Sequence, residues 1–176
     1  MDEIAVRRSL AKMPLIFQYG SNCLIARLNS PERLNGAAIV KSSAQTVDEF
    51  DIAFDVWSHT NQCAAADRVP APESSHFAWG VLYETSAEGL ARLRNVEGPF
   101  YEEKRILVRT RAGEEEATTF LVKDAKREQS LWTSAKYVSY IVRGLREHKI
   151  SEEYTQHVLD VAIRTNKDAK NQSAAS

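Results

Sequence analysis

The order of strand-like and helix-like patterns constrains the fold of this chain more than any single motif. Short apolar or alternating runs, which are typical of strands, dominate the sequence up to residue 122. Two segments with apolar residues at helical spacing then close the chain. Because strands and helices are segregated along the sequence, the pattern predicts an α+β fold and not a regular βαβ alternation.

The strand predictions rest on short apolar or alternating runs. The clearest is Val47–Trp57, where Phe50, Ile52, Phe54 and Val56 share one face. Further strands are predicted at Pro14–Tyr19, Gly36–Lys41 and His76–Glu84, and a hairpin at Lys104–Arg111 and Glu115–Val122 around Ala112-Gly113. Asn61–Ser75 contains prolines and small or polar residues, so we expect a loop there, the longest of the domain.

The helix predictions rest on caps and on apolar spacing. A short helix is predicted over Cys23–Leu28, and a second follows the capping residue Ser86 as far as Arg94. Of the two closing helices, the first is capped by Ser134 and the second starts at Ser151.

The expected domain organisation is a single domain with short additions at both ends. Residues 1–12 are expected to be an N-terminal extension, 13–166 the domain, and 167–176 a polar, frayed tail. Met13-Pro14 resembles the natural opening of the first strand, so either Met1 or Met13 is expected to be the true start.

Charge and composition exclude several classes of function. The 176 residues are enough for one domain with its own core. With 23 Lys and Arg against 24 Asp and Glu, the net charge is −1, which argues against nucleic acid as the main partner. No apolar run approaches the roughly 20 residues that a membrane-spanning helix needs. Cys23 and Cys63 provide no disulfide framework and Met1–Met13 has no apolar signal region, so we expect a cytoplasmic protein.

Common catalytic and cofactor motifs are missing from the sequence. His59, His76, Cys23 and Cys63 are too scattered for a structural zinc site, which needs a fuller ligand set at closer spacing. Ser21 follows a glycine at a turn, but the G-x-S-x-G elbow of serine hydrolases does not occur. Neither of the glycine-rich phosphate loops is present. We therefore expect no metal and no cofactor.

Two segments remain as candidates for a functional site. In Tyr19-Gly20-Ser21-Asn22, successive N–H groups before a short helix could hold a carboxylate or a developing oxyanion. Glu97 precedes Gly98-Pro99, where a carboxylate could project into a cavity and act as a general base. From the pattern alone, a plain strand-to-helix turn and a solvated glutamate explain these residues at least as well.

Four segments taken together resemble the γ-glutamyl cyclotransferase family, including its AIG-like relatives. They are Phe17–Asn22 (FxYGSN), Trp79–Glu84 (WGVxY), Leu93–Gly98 with Tyr101 (LDxxEG…Y), and Ser134–Tyr137 with Gly144 (PSPxY). The resemblance spans residues 14–160. It implies a single-domain, small mixed β-barrel with flanking helices.

The resemblance also implies an activity that needs no metal or cofactor. In this family the α-amine of a γ-glutamyl amine or dipeptide attacks its own γ-carbonyl, which releases 5-oxoproline and the amine or amino acid. By the family match, Glu97 is the general acid/base and the Tyr19–Asn22 turn holds the glutamyl end. Tyr137 matches the tyrosine whose hydroxyl would contact the substrate, and its alternative is a core or rim aromatic.

The sequence departs from the family pattern at three positions. Arg94 stands where the family has Asp, and Thr133 and Ala135 replace the two prolines of PSPxY. The Asn61–Ser75 loop and the Pro99–Tyr101 turn are expected to determine specificity.

Other functions remain open at this stage. A non-catalytic module could bind a γ-glutamyl ligand on the same fold, and a hydrolase could release free glutamate instead. The expected partner is a small-molecule γ-glutamyl substrate, whose leaving part and pathway the sequence does not specify. A homodimer is compatible with the family, although no feature of the sequence indicates one.

Overall fold

The computed structural model describes residues 13–72 and 76–175, which form seven strands and four α-helices. The strands are β1 (Leu15–Gln18), β2 (Ile39–Thr46), β3 (Phe50–Ser58), β4 (Cys63–Pro70), β5 (Trp79–Glu84), β6 (Tyr101–Thr110) and β7 (Gly113–Val122). The helices are α1 (Ile25–Leu28), α2 (Ala87–Glu97), α3 (Ala135–Glu147) and α4 (Glu152–Ala175). Two 3-10 turns, Ser21–Cys23 and Asp124–Lys126, follow β1 and β7.

Five strands close into a barrel in the order β1-β5-β2-β6-β7. Antiparallel pairing joins the neighbours, and the parallel register of Ile16 with Thr118 closes β7 onto β1. The hairpin of β6 and β7 turns between Thr110 and Gly113, where the sequence predicts it. The predicted α+β class, with a small barrel and flanking helices, is therefore confirmed.

A separate two-stranded sheet of β3 and β4 lies beside the barrel. Ile52, Phe54 and Val56 on β3 are buried in alternation, as the sequence pattern predicts. Side-chain hydrogen bonds attach β4 to the barrel strands. Tyr101 Oη donates to the Ala66 carbonyl at 3.2 Å, and the Val122 N–H donates to the buried Asp67 carboxylate at 2.9 Å.

The turn after β1 is fixed by helix α3. A Cβ at Gly144 would lie 2.4 Å from the carbonyl carbon of Cys23, so only glycine allows the helix to pack directly on this turn. On the other side, Tyr83 Oη donates to the Cys23 carbonyl at 2.9 Å. The Tyr19–Asn22 segment is therefore held between a barrel strand and a helix.

Both predicted serine caps are present. Ser86 Oγ accepts from the Gly89 N–H, and Ser134 Oγ accepts from the Tyr137 N–H, each at 3.0 Å. A cap of this kind contributes about 1 kcal/mol because it satisfies an N–H that the helix leaves free. No helix in the described part of the chain is long and apolar enough to cross a membrane.

The predicted Asn61–Ser75 loop is wrong over most of its length, because residues 63–70 form strand β4. Small residues and two adjacent charges hide the strand pattern in the sequence, whereas Cys63 to Arg68 are all buried in the structure. Residues 73–75 of the same segment lie outside the described residues.

The last helix is longer than the sequence predicts. The segment expected as a frayed tail continues α4 to residue 175, and Ala169 within it is buried. The buried Ala169 gives this part of the helix a tertiary contact, which its mostly polar sequence does not indicate. The predicted N-terminal extension, residues 1–12, lies outside the described residues.

Candidate active site

Glu97 is the last residue of α2, and its side chain lines a cavity beside the barrel. The helix ends there because Gly98 adopts a φ of 75°, a left-handed conformation that favours glycine. The chain then turns through Pro99 into β6. This sharp exit leaves the Glu97 side chain at the end of the helix, facing the cavity.

The Tyr19–Asn22 turn, which is distant from Glu97 in the sequence, lines the same cavity. Asn22 Nδ2 donates to Glu97 Oε1 at 3.2 Å, although the two residues are 75 positions apart. Ser21 and Asn22 are both buried. The structure therefore brings the acid and the turn singled out in the sequence into direct contact.

The cavity has a larger and a smaller chamber. The larger, of about 390 Å³, is walled by the end of β3 and the β3–β4 turn (residues 56–61), by Arg33, and by residues 99–101. The smaller, of about 40 Å³, is lined by residues 18–22, Ala66 and Phe120. Ser21, Asn22, Glu97, Tyr101 and Tyr137 border both chambers and so mark their junction.

Burial raises the pKa of Glu97 from its ordinary 4.5 to about 7. The positive charge of Arg33, the hydrogen bond from Asn22 and the charge of Arg27 each oppose that rise without cancelling it. A carboxyl group with a pKa near neutrality can both accept and donate a proton at physiological pH. A partly desolvated environment of this kind suits a proton carrier.

The turn also presents backbone donors. The Gly20 and Ser21 carbonyls accept from the Cys23 and Leu24 N–H groups, which closes the 3-10 turn. The N–H groups of Ser21 and Asn22 have no acceptor within that first turn, and none among the residues that the structure describes. Two backbone donors therefore remain for a carboxylate or an oxyanion.

Tyr101 and Tyr137 border both chambers, and Tyr19 lines the smaller one. Tyr137 is buried, its Oη accepts from the Ala66 N–H at 3.0 Å, and its ring packs edge-on against Phe54. Tyr19 Oη donates to the Phe120 carbonyl at 2.6 Å, which directs this hydroxyl to the barrel strand β7. Tyr137 thus packs in the core and also borders the cavity, and the contact of its hydroxyl with a substrate stays a prediction.

The departures from the family pattern have local structural explanations. Arg94 points to the surface, where Nε and Nη2 pair with the Glu103 carboxylate at 2.5 and 2.9 Å. Thr133 occupies its buried position through hydrogen bonds, with Oγ1 donating to the Ala64 carbonyl at 2.8 Å and its N–H to Asn166 Oδ1 at 2.7 Å. The approach to α3 is therefore fixed without the prolines.

Pattern reasoning missed the cationic side of the site. Arg27 Nε donates to Ser21 Oγ and Arg27 Nη2 to Asn61 Oδ1, each at 3.0 Å, so this residue links the turn to the β3–β4 turn. Arg33 lines the larger chamber with no hydrogen bond or ion pair to its guanidinium in the described part of the chain. No local pattern distinguishes these arginines from other surface cations.

The fold and the site define a class of protein: a closed α+β barrel in which a desolvated carboxyl group, that of Glu97, lies beside a strand-ending turn. The AIG2-like family model matches residues 78–158, a range that contains three of the four segments on which the predicted family resemblance rests, and it confirms the resemblance over that range. No curated protein sequence gave a significant match.

Solved structures share the fold. A γ-glutamyl cyclotransferase aligns with a TM-score of 0.73 at 24% identity, over 84% of this chain and 86% of its own. The uncharacterized protein loc79017 from Homo sapiens aligns with the same TM-score, identity and coverage. YkqA from Bacillus subtilis aligns with a TM-score of 0.66 at 20% identity, over 89% of this chain but only 56% of YkqA. At these identities the likeness establishes the fold.

Proposed function

We propose that this protein is a γ-glutamyl cyclotransferase, which releases 5-oxoproline from a γ-glutamyl amine or dipeptide. The observation that carries the proposal is the contact between Glu97 and Asn22. It joins a carboxyl group with a pKa of about 7 to a turn that has free backbone donors, inside one cavity. The AIG2-like family match and the shared fold support the same activity.

The glutamyl head is placed at the junction of the two chambers, against the Tyr19–Asn22 turn. There the Ser21 and Asn22 N–H groups can stabilise the negative charge that develops on the γ-carbonyl oxygen. Asn22 Oδ1 is buried and has no hydrogen-bond partner in the described part of the chain. A buried acceptor of this kind is satisfied by a donor such as the substrate ammonium.

Glu97 is the proton carrier of the proposed reaction. As the α-ammonium becomes the ring N–H of 5-oxoproline it loses two protons, and the leaving nitrogen, which departs as an ammonium, gains two. A carboxylate between these nitrogens can carry the protons one at a time. The new bond joins the α-nitrogen to the γ-carbon, and the bond from that carbon to the leaving nitrogen breaks. General acid–base catalysis of this kind typically contributes about 10²- to 10⁴-fold in rate.

The leaving group is assigned to the larger chamber, which lies on the Arg33 side of Glu97. An unpaired guanidinium favours a leaving group that carries a carboxylate, because the two form a charge-assisted, bidentate pair. We therefore expect γ-glutamyl amino acids to be better substrates than γ-glutamyl amines of similar size.

Product identity tests the proposal. The purified chain is incubated in ¹⁸O-labelled water with γ-glutamyl amino acids, γ-glutamyl amines and glutathione. The masses of the products are then measured by mass spectrometry. We expect 5-oxoproline without ¹⁸O. Labelled glutamate would instead identify a hydrolase. Binding of γ-glutamyl ligands with no product across the panel would identify a non-catalytic module.

A further inference from the structure

Three side chains of metal-ligand type meet at a place remote from Glu97. Asp51 lies at the start of β3, His76 on the segment before β5, and His157 on α4. One ligand atom from each side chain lies within 4.8 Å of the other two. The far end of β3 walls the proposed active site, roughly 15 to 20 Å away at the rise of an extended strand.

The contacts within the group are short and specific. His157 Nε2 lies 2.7 Å from Asp51 Oδ1, and His76 Nδ1 lies 3.1 Å from Asp51 Oδ2. The two imidazole rings meet edge-on with their centroids 4.5 Å apart. Each histidine therefore turns one ring nitrogen to the same small volume, which both carboxylate oxygens also border.

The backbone holds this arrangement in place. The Phe50 N–H donates to the His76 carbonyl at 3.1 Å, which fixes the histidine segment beside β3. The Ile52 N–H donates to Asp51 Oδ1 at 2.7 Å, which orients the carboxylate. Hydrogen bonds that orient a ligand from outside the coordination sphere are a regular feature of metal sites.

We propose that Asp51, His76 and His157 form a binding site for a divalent transition-metal ion, with zinc as the best fit. Two imidazole nitrogens and one carboxylate oxygen are a ligand set that zinc accepts, and a water completes its tetrahedral coordination. With bonds of about 2.1 Å, the ligand atoms of such a site lie roughly 3.4 Å apart, so closure requires a movement of about 1 Å. On binding, each histidine keeps its proton on the outer nitrogen and offers the inner lone pair to the metal.

The ion would link three segments that are far apart in the sequence. It would join α4 and the segment before β5 to the start of β3, and so stabilise the packing of the last helix. The role is structural and independent of the proposed enzymatic activity. Magnesium is not expected to bind, because it requires an octahedral set of oxygen ligands.

Zinc binding to the full chain tests the proposal. The chain is stripped with EDTA, titrated with Zn²⁺ against a chromophoric chelator, and its thermal midpoint is followed with Zn²⁺ or Mg²⁺. We expect one Zn²⁺ per chain. The midpoint should rise by about 5 to 10 °C when free zinc is 100 times the dissociation constant, and Mg²⁺ should not change it. Cobalt in place of zinc should give the visible absorption of a four-coordinate ion.

Substitutions of the three residues test whether their side chains are the zinc ligands. His157→Gln and Asp51→Asn should each weaken zinc binding at least about tenfold. The His76 side chain is half-exposed, so His76→Gln removes a ligand with little risk to folding. His59→Gln, at the exposed turn after β3, is the matched control and should bind like the unaltered chain. The proposal is overturned if the chain binds no zinc, or if His76→Gln and Asp51→Asn bind it as tightly as the control.

Discussion

Replacing Glu97 by glutamine should stabilise the folded protein above pH 7 while leaving its stability at low pH nearly unchanged. Glutamine has almost the same shape and keeps an oxygen that can accept from Asn22 Nδ2, now 3.2 Å from the carboxylate. What it removes is an ionisable group in a site that disfavours its charged form. A change in the free energy of unfolding on this substitution therefore reports the cost of burying the charge and not a change in packing.

The size and the sign of the effect follow from the pKa of Glu97. Its folded-state pKa of about 7 lies above the ordinary 4.5, so between these pH values the folded chain binds more protons than the unfolded chain. The contribution of Glu97 to stability is therefore fully present below pH 4.5 and is lost as the pH rises through 7. The full difference corresponds to about 3 kcal/mol, which sets the upper limit of what Glu97→Gln can recover at pH 8.

Chemical denaturation of the two chains at pH 5 and pH 8 measures this effect. Asp55 also has a pKa raised to about 7, by burial and by the charge of Asp67, but it is present in both chains and cancels in their difference. Glu88→Gln, in the exposed first turn of the same helix, is the matched control and should show no such gain. If Glu97→Gln gains no more stability at pH 8 than at pH 5, the carboxyl is not desolvated in the way described.

Three further predictions concern activity. First, kcat/KM should fall about tenfold per pH unit below a pKa near 7, as Glu97 loses its ionised form, and a flat profile from pH 5.5 to 7 would contradict its role as the base. Second, Tyr137→Phe removes the hydroxyl bonded to the Ala66 N–H and should raise KM about threefold to tenfold, whereas unchanged kinetic constants would make it a core residue only. Third, Arg33→Gln should reduce kcat/KM for γ-glutamyl-alanine about tenfold more than for γ-glutamyl-ethylamide, which loses activity only because the pKa of Glu97 rises without the Arg33 charge, and equal losses for both substrates would refute its assignment to the leaving group.

The elements that the sequence predicted correctly are those specified by local chemistry. Ser86 and Ser134 predict the starts of their helices, because a serine hydroxyl can accept a hydrogen bond from a free N–H group of the first turn. The alternation of Phe50–Val56 specifies a strand with one buried face. Each of these signals lies within a few residues of the structure that it predicts.

The elements that the sequence missed depend on tertiary contacts. Strand β4 carries small residues followed by Asp67 and Arg68, a pattern without strand propensity. It forms because neighbouring elements cover it on both sides, and Asp67 is satisfied there by the Val122 N–H and by Arg127. The end of α4 likewise depends on a buried alanine.

The candidate site was predictable only in part. Neither Glu97 nor the Tyr19–Asn22 turn is distinctive in its local pattern, and the family resemblance brought the two together. Their contact across 75 residues is a property of the fold. The grouping of Asp51 with His157, 106 residues apart, could not be read from spacing, because no motif joins these positions.

The most direct test of the central claim is the rate of 5-oxoproline formation by the Glu97→Gln chain. It is compared with the unaltered chain and with Glu88→Gln on the best substrate of the panel, after circular dichroism has established that all three are folded. We predict a loss of at least about 100-fold for Glu97→Gln alone, as expected when a general acid–base group is removed. Turnover by Glu97→Gln equal to that of Glu88→Gln would contradict the assignment of Glu97 as the proton carrier.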